Sequence, residues 1–128
     1  MSTPRRPAAI ALVAWSLFVW TTRIGNIWGD DALTDGEKWG RTGLALSFTV
    51  LAVVAAGALW RGTAWLRGAV LALAGWTVAV WIVRSVGIAT GDHGAAFVTV
   101  HLVLAIVSIA LSSLASRDVL REPTPARQ

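Results

Sequence analysis

Two stretches decide how this chain is read: WSLFVWTTRIGNIWGDD (15–31) and WTVAVWIVRSVGIATGD (76–92). Each sets one arginine, Arg23 or Arg84, into an otherwise apolar run with a tryptophan three residues before it. Each run would be too short to cross a bilayer if it ended at its arginine. Pro7 to Thr22 and Gly68 to Val83 hold 16 residues apiece, whereas the hydrocarbon core takes about 20 helical residues, with a lower limit near 17. Beyond each arginine the sequence turns apolar again, as IGNIW after Arg23 and SVGIA after Arg84. Both helices are therefore expected to continue past the arginine, which then lies inside the span near one end.

Two further charge-free runs, Thr42 to Trp60 and Gly94 to Ser116, are long enough alone, at 19 and 23 residues. The expectation is an all-α membrane protein, a four-helix transmembrane bundle with helices at 8–28, 42–61, 67–90 and 94–116. The 128 residues form a single membrane domain, and 117–128 (RDVLREPTPARQ) reads as a short disordered tail. The composition agrees. Charged residues make up 14% of the chain and hydrophobic ones 55%, against about a quarter charged in a soluble domain, and mean hydropathy is +0.64. There are no cysteines, which excludes disulfides, Cys-ligated zinc and iron–sulfur clusters. The first helix is not followed by a small-x-small cleavage site and is expected to stay as an anchor.

The net charge of +4 does not point to nucleic acid, because the basic residues flank apolar runs instead of forming one patch. They set orientation instead. Arg5, Arg6, Arg61, Arg67, Arg117, Arg121 and Arg127 fall on one side, and Arg23, Lys38, Arg41 and Arg84 on the other with most of the acids. The more basic side faces the cytoplasm, which puts both termini there in a multi-pass protein of the cell membrane.

The recurrence of arginine has a simple source. Sliding the chain by 61 residues superposes Ala8, Ala11, Leu12, Trp15, Val19, Trp20, Arg23, Ile27 and Asp31 on identical residues from Ala69 to Asp92. Helices two and four match at an offset of 53, VLAVVA against VLAIVS, which leaves an eight-residue insertion in the first outer loop. The chain thus reads as two tandem helical hairpins in a parallel repeat.

On a helix, residues three or four apart share a face, so Trp20 and Arg23 stack, as do Trp81 and Arg84, within reach of a cation–π contact. Two readings of this pair stand side by side. In one, the arginines are anchors, snorkelling to headgroups or held by internal ion pairs of Arg84 with Asp92 and Arg23 with Asp30 or Asp31. In the other, Arg23, Arg84, Trp20 and Trp81 form a site for an anion or a lipid phosphate. His101 heads a stripe with Ala105, Ser108, Ser112 and Ala115, where small residues let helices approach closely. As a buried polar residue it needs a partner such as Ser47, Thr77 or a backbone carbonyl, unless it handles protons or a ligand. Trp28, Trp39, Trp60 and Trp65 fit interfacial belts, while Trp15 and Trp76 fall near mid-span as bundle filling.

No catalytic constellation is legible: there is no rigid carboxylate pair, no Ser–His–Asp set and no phosphate loop. No metal or cofactor is expected. His93 and His101 lie eight residues apart on adjoining segments and cannot sandwich one haem within a protomer. The acidic outer loop lacks calcium-loop spacing.

WSLFVWTTRIGNIWGDD (15–31) and AAFVTVHLVLAIVSIALSSLASR (95–117) resemble the two spans of small uncharacterised membrane proteins of high-GC Gram-positive bacteria. Those pair a Trp-rich helix ending in a basic residue and NIW with a second helix carrying VH and an aliphatic run. Helix three keeps the Trp–Trp–Arg frame but has VGIA where NIW would stand, and helix two lacks the histidine. The resemblance implies topology and no activity. The expected function is that of a non-enzymatic integral membrane protein, a scaffold or accessory subunit with a membrane protein partner or as a homo-oligomer. The alternative is a small transporter, channel or anion- or lipid-binding protein built on Arg23 and Arg84. A redox or quinone-binding helper using His101 has the least support.

Overall fold

The computed structural model describes residues 6–62 and 64–121. It is all-helical in element order α1 (Pro7–Trp28), α2 (Asp35–Arg61), α3 (Leu66–Thr90) and α4 (Ala95–Arg121). At about 1.5 Å per residue, helices of 22 to 27 residues are about 33–40 Å long, against a hydrocarbon core of about 30 Å. All four are long and apolar enough to cross a membrane. Consecutive helices run antiparallel around a ring, α1 against α2 and α4, and α3 against α2 and α4.

The local sequence explains where each helix starts and stops. Pro7 opens α1 at a position where its fixed φ is already helical and its missing N–H is not needed. α2 opens on a capping box: Thr34 accepts from the Glu37 N–H, and the Glu37 side chain reaches back to the Thr34 N–H. Asp35 and Glu37 also favour this end through the helix dipole. α2 closes at Gly62, whose φ of 62° is left-handed and whose N–H donates to the Ala58 carbonyl at 2.8 Å.

Two expected boundaries are corrected. α2 was expected from 42 but begins at Asp35, because the capping box carries the helix through the charged segment DGEKWGR. α4 was expected to stop at 116 but runs to Arg121. There Val119 is buried and the Arg67 guanidinium donates to the Leu120 carbonyl at 3.0 Å, so the first five residues of the expected tail are packed helix. Residues 122–128, with Arg127, lie outside the described residues, as does Arg5.

α1 and α3 bury large side chains, Leu12, Trp20, Leu73 and Trp81 among them, whereas packing on α2 and α4 is inverted relative to a soluble helix. α2 turns Ala45, Phe48, Ala52, Ala55 and Ala58 inward at 0% exposure, and α4 turns Ala105, Ser108, Ser112 and Ala115 inward. Large residues such as Ile10, Val50, Ile82, Val83 and Ile106 point outward. Without water to drive helices together, close backbone approach through small residues supplies the contact energy, and large aliphatics face lipid.

Burial follows the sequence register. Six of the seven buried residues of α1 have buried counterparts 61 positions later in α3: Ala9, Leu12, Val13, Ser16, Trp20 and Ile27 with Val70, Leu73, Ala74, Thr77, Trp81 and Ile88. α2 and α4 start and end 60 residues apart, and Ala45, Phe48, Ala52 and Ala55 have buried counterparts at that offset in Ala105, Ser108, Ser112 and Ala115. This offset is one heptad longer than the expected 53. A shift of seven residues keeps the same helix face, so repetitive aliphatic sequence does not discriminate between the two. At an offset of 60 no eight-residue loop insertion is needed, since most of that segment is the first two turns of α2.

Candidate arginine cleft at the loop end of the bundle

Just below the end that carries the α1–α2 and α3–α4 connections, three aromatic residues fill the bundle axis. Trp20 stacks on Phe48 at 4.0 Å and 8°, and meets Trp81 at 6.0 Å and 47°. All three are buried. One turn further along, the Arg23 guanidinium lies 5.8 Å from the Trp20 ring and that of Arg84 lies 5.9 Å from the Trp81 ring. The stacking expected from the three-residue spacing is therefore present in both halves of the chain.

The two arginines line one cleft of about 250 Å³ together with Arg41, His101, Asn26 and Asp30. Trp20 contributes to its floor, and Ile27, Leu33, Leu44 and Phe97 to its apolar walls. The expected ion pairs are not formed. Among the described residues no carboxylate lies within ion-pair distance of Arg23, Arg41 or Arg84. Asp30 instead accepts from the Ala32 N–H at 3.0 Å, which ties its carboxylate to its own loop. The Arg84 Nε is buried and has no hydrogen-bond partner. A partly buried guanidinium with a donor left over is an anchor only if something supplies the acceptor.

His101 finds its partner in a backbone carbonyl and in Arg23. Its Nδ1 lies 2.8 Å from the Phe97 carbonyl oxygen, and its Nε2 lies 3.4 Å from the Arg23 Nη2. A carbonyl can only accept and a guanidinium can only donate. The consistent assignment is the neutral ring with its proton on Nδ1 and the Nε2 lone pair facing Arg23. Stacking on Phe97 at 3.9 Å fixes the ring plane. Ser47 and Thr77, the other expected partners, are engaged elsewhere: Trp76 Nε1 donates to Ser47 Oγ at 2.9 Å, and Thr77 Oγ1 donates to the Leu73 carbonyl.

Trp15 makes the corresponding cross-helix bond, donating to Ser108 Oγ at 2.9 Å. Trp76 is 39% exposed, so it is only in part interior filling; its indole N–H is pinned to α2 and its ring meets Phe48 at 5.9 Å. His93 and His101 flank Phe97 through ring contacts. Among the described residues no three His, Asp or Glu side chains converge as a metal site needs.

Arg41, Asn26 and Phe97 were not among the expected site residues. Hydropathy alone leaves Arg41 outside the apolar run that starts at Thr42, yet a signal for its place exists in the sequence. The capping pattern TDGE (34–37) starts a helix at Asp35, and Arg41 then leads the inward stripe Leu44, Ala45, Phe48 at steps of three, four and seven. Comparison with known protein families, with curated proteins and with solved structures finds no match to this chain.

Proposed function

We propose that the chain is a duplicated helical hairpin whose two halves together build an oxyanion-binding site at the outer face of the cell membrane, with both termini in the cytoplasm. The observation that carries this reading is the convergence of Arg23 and Arg84, 61 residues apart, on one cleft where no carboxylate of the described residues, Asp30 on its lining included, comes within ion-pair distance of them. At the offset of 60 the next pair of equivalent positions is Arg41 and His101, and these line the same cleft. A parallel repeat brings equivalent residues to the same membrane depth around a pseudo-twofold axis, so one arginine per hairpin becomes a cluster. Planar guanidinium forks match the paired oxygens of phosphate and carboxylate groups, and Asn26 adds an uncharged donor. The cleft volume equals that of about eight waters at roughly 30 Å³ each, which leaves room for a phosphate ester.

The site binds and does not conduct. Trp20, Trp81 and Phe48 occlude the axis directly beneath it, so no path runs from the cleft along the axis to the opposite membrane face. No Ser, Thr or Cys lines it as a nucleophile, and its two groups of acid or base type are engaged, Asp30 with the Ala32 N–H and His101 with Arg23. The protein acts as a non-enzymatic receptor or accessory subunit, and a scaffold role with a membrane partner is compatible with the cleft as its regulated surface.

The test is thermal unfolding of the purified protein in phosphatidylcholine nanodiscs with added inorganic phosphate, at ionic strength held constant with chloride. Saturation at a hundredfold above Kd stabilises by about 2.7 kcal/mol. Wild type is expected to show that rise in midpoint, and the double variant Arg23→Gln/Arg84→Gln to show none. An equal phosphate response in the double variant refutes the proposed site.

A further inference from the structure

The arginine cleft does not end at the arginines. A second cavity of about 120 Å³ lies in the crease between α1 and α4, lined by Phe18, Val19, Thr22, Arg23, Asn26 and Leu104. Arg23 and Asn26 line both cavities. The six residues divide by character along the axis: donors at the end that adjoins the cleft, apolar surface further in. Phe18, Thr22 and Asn26 follow one another at steps of four on one face of α1, with Leu104 of α4 opposite. From residue 26 back to residue 18 is about 12 Å along the helix, directed from the loop end toward the middle of the bundle. Phe18 is 64% exposed, so the crease opens sideways, where the bilayer lies.

We infer that the bound anion is the phosphate head of an amphiphile, with its head in the arginine cleft and the start of its acyl chain in the α1–α4 crease. This rests on the reading of the cleft as an oxyanion site and specifies its ligand. A free anion has no use for an apolar track that begins at the arginine holding it. A phospholipid of the outer leaflet presents the matching order, a charged head at the interface and a chain running inward past it. The unequal state of the two arginines fits this use. Arg23 is held against His101 at 3.4 Å and over Trp20, which keeps its guanidinium at the junction of the two cavities. Arg84, with its Nε unpartnered, faces the head alone.

The test compares equilibrium binding of dioctanoyl phosphatidic acid with that of glycerol 3-phosphate, the same head without chains, to detergent-solubilised protein. Wild type is expected to bind the phosphatidic acid at least thirtyfold more tightly. Thr22→Trp fills the crease from an exposed position. It is expected to weaken phosphatidic acid at least tenfold and to change glycerol 3-phosphate less than twofold. Leu104→Phe, on the opposite wall, is expected to act the same way and serves if the first variant does not fold. Arg84→Gln, outside the crease, is expected to weaken both ligands at least tenfold. Equal affinity for the two ligands, or indifference of phosphatidic acid to both crease variants, overturns the chain site. The cleft itself then still stands if glycerol 3-phosphate binding depends on Arg84. Absence of Arg84-dependent binding of either ligand overturns the cleft and the chain site together.

Discussion

Removing one positive charge from the cleft is expected to stabilise the unliganded protein while weakening its hold on an anion, and Arg41→Gln isolates that trade. Arg41 is exposed and has no hydrogen bond or ion pair with another described residue, so the substitution breaks no contact. It does face Arg23 and Arg84 across the cleft. A volume of about 250 Å³ taken as a sphere is roughly 8 Å across, and at an effective dielectric near 20 two like charges at that distance repel by about 2 kcal/mol. Screening at the exposed rim, with a Debye length of about 8 Å, cuts each term to below about 1 kcal/mol. Asp30 offsets part of the sum. The net relief is about 1 kcal/mol, a rise of roughly 3–5 °C in unfolding midpoint for a chain this size. On the ligand side, one charge-assisted hydrogen bond is worth about 1.5–3 kcal/mol. The exposed position argues for the lower end, so phosphate affinity should fall about tenfold. Thermal unfolding in nanodiscs, with and without phosphate, reads both quantities from one sample. A lowered midpoint with undiminished phosphate response would show Arg41 to be a structural residue and would remove the electrostatic basis of the cleft.

Three further expectations concern the packing that holds the cleft in place. Ser112 is fully buried and its Oγ has no hydrogen-bond partner, so Ser112→Ala is expected to be neutral or to stabilise by up to about 1 kcal/mol, and a loss above that in chemical denaturation would reveal a hidden partner. Ala52 is buried at 0% exposure on the inward stripe of α2 while Val53 beside it is 57% exposed. Ala52→Leu should therefore cost about 1–3 kcal/mol and Val53→Leu almost nothing, a contrast that a thermal scan of the pair resolves; equal effects would mean that α2 is rotated from the face described. Gly62→Val forces a β-branched residue into a left-handed conformation, at a cost of about 1–2 kcal/mol, whereas Gly62→Asn should be milder, as the midpoints of the two variants can show.

Much of the fold was legible because bilayer-spanning helices announce themselves in long apolar runs, and the ends of α1 and α3 fall within one residue of expectation. The missed ends have a common cause. Hydropathy marks where lipid contact stops, and a helix goes on wherever its caps and contacts allow. The Thr34–Glu37 box extends α2 by seven residues, and the Arg67 bond to Leu120 marks the extension of α4. The lining of the candidate cleft was half legible for the same reason. Trp20, Arg23, Trp81 and Arg84 stood out because two rare residue types recur in register within apolar sequence. Arg41 did not, because a charge beyond an apolar run looks like loop until the capping pattern is weighed. The ion pairs expected of Arg23 and Arg84 failed on loop geometry: Asp30 turns back on Ala32, a local choice that residue spacing does not disclose.

In the proposed repeat, the register accounts for a cleft that is unsymmetrical although its frame is doubled. An offset near 60 pairs Arg23 with Arg84 and Arg41 with His101, so a perfect repeat at these positions would have placed four cations of one kind around the axis. Four guanidinium groups in about 250 Å³ would repel one another by several kcal/mol. A neutral imidazole at the fourth position removes three of the six repulsive pairs and adds an acceptor for Arg23. The two arginines then differ: Arg23 is held against His101, and the Arg84 Nε is left without a partner. Replacing His101 by arginine would restore the symmetry and should lower the unliganded midpoint, by at least what Arg41→Gln raises it. His101→Gln keeps an acceptor and no charge, so it should leave the midpoint near wild type and phosphate affinity within about threefold, under half of a charge-assisted bond. If His101→Arg proved as stable as wild type without ligand, the guanidinium groups would have to be far enough apart to ignore one another, and the cleft could not act as a single oxyanion site.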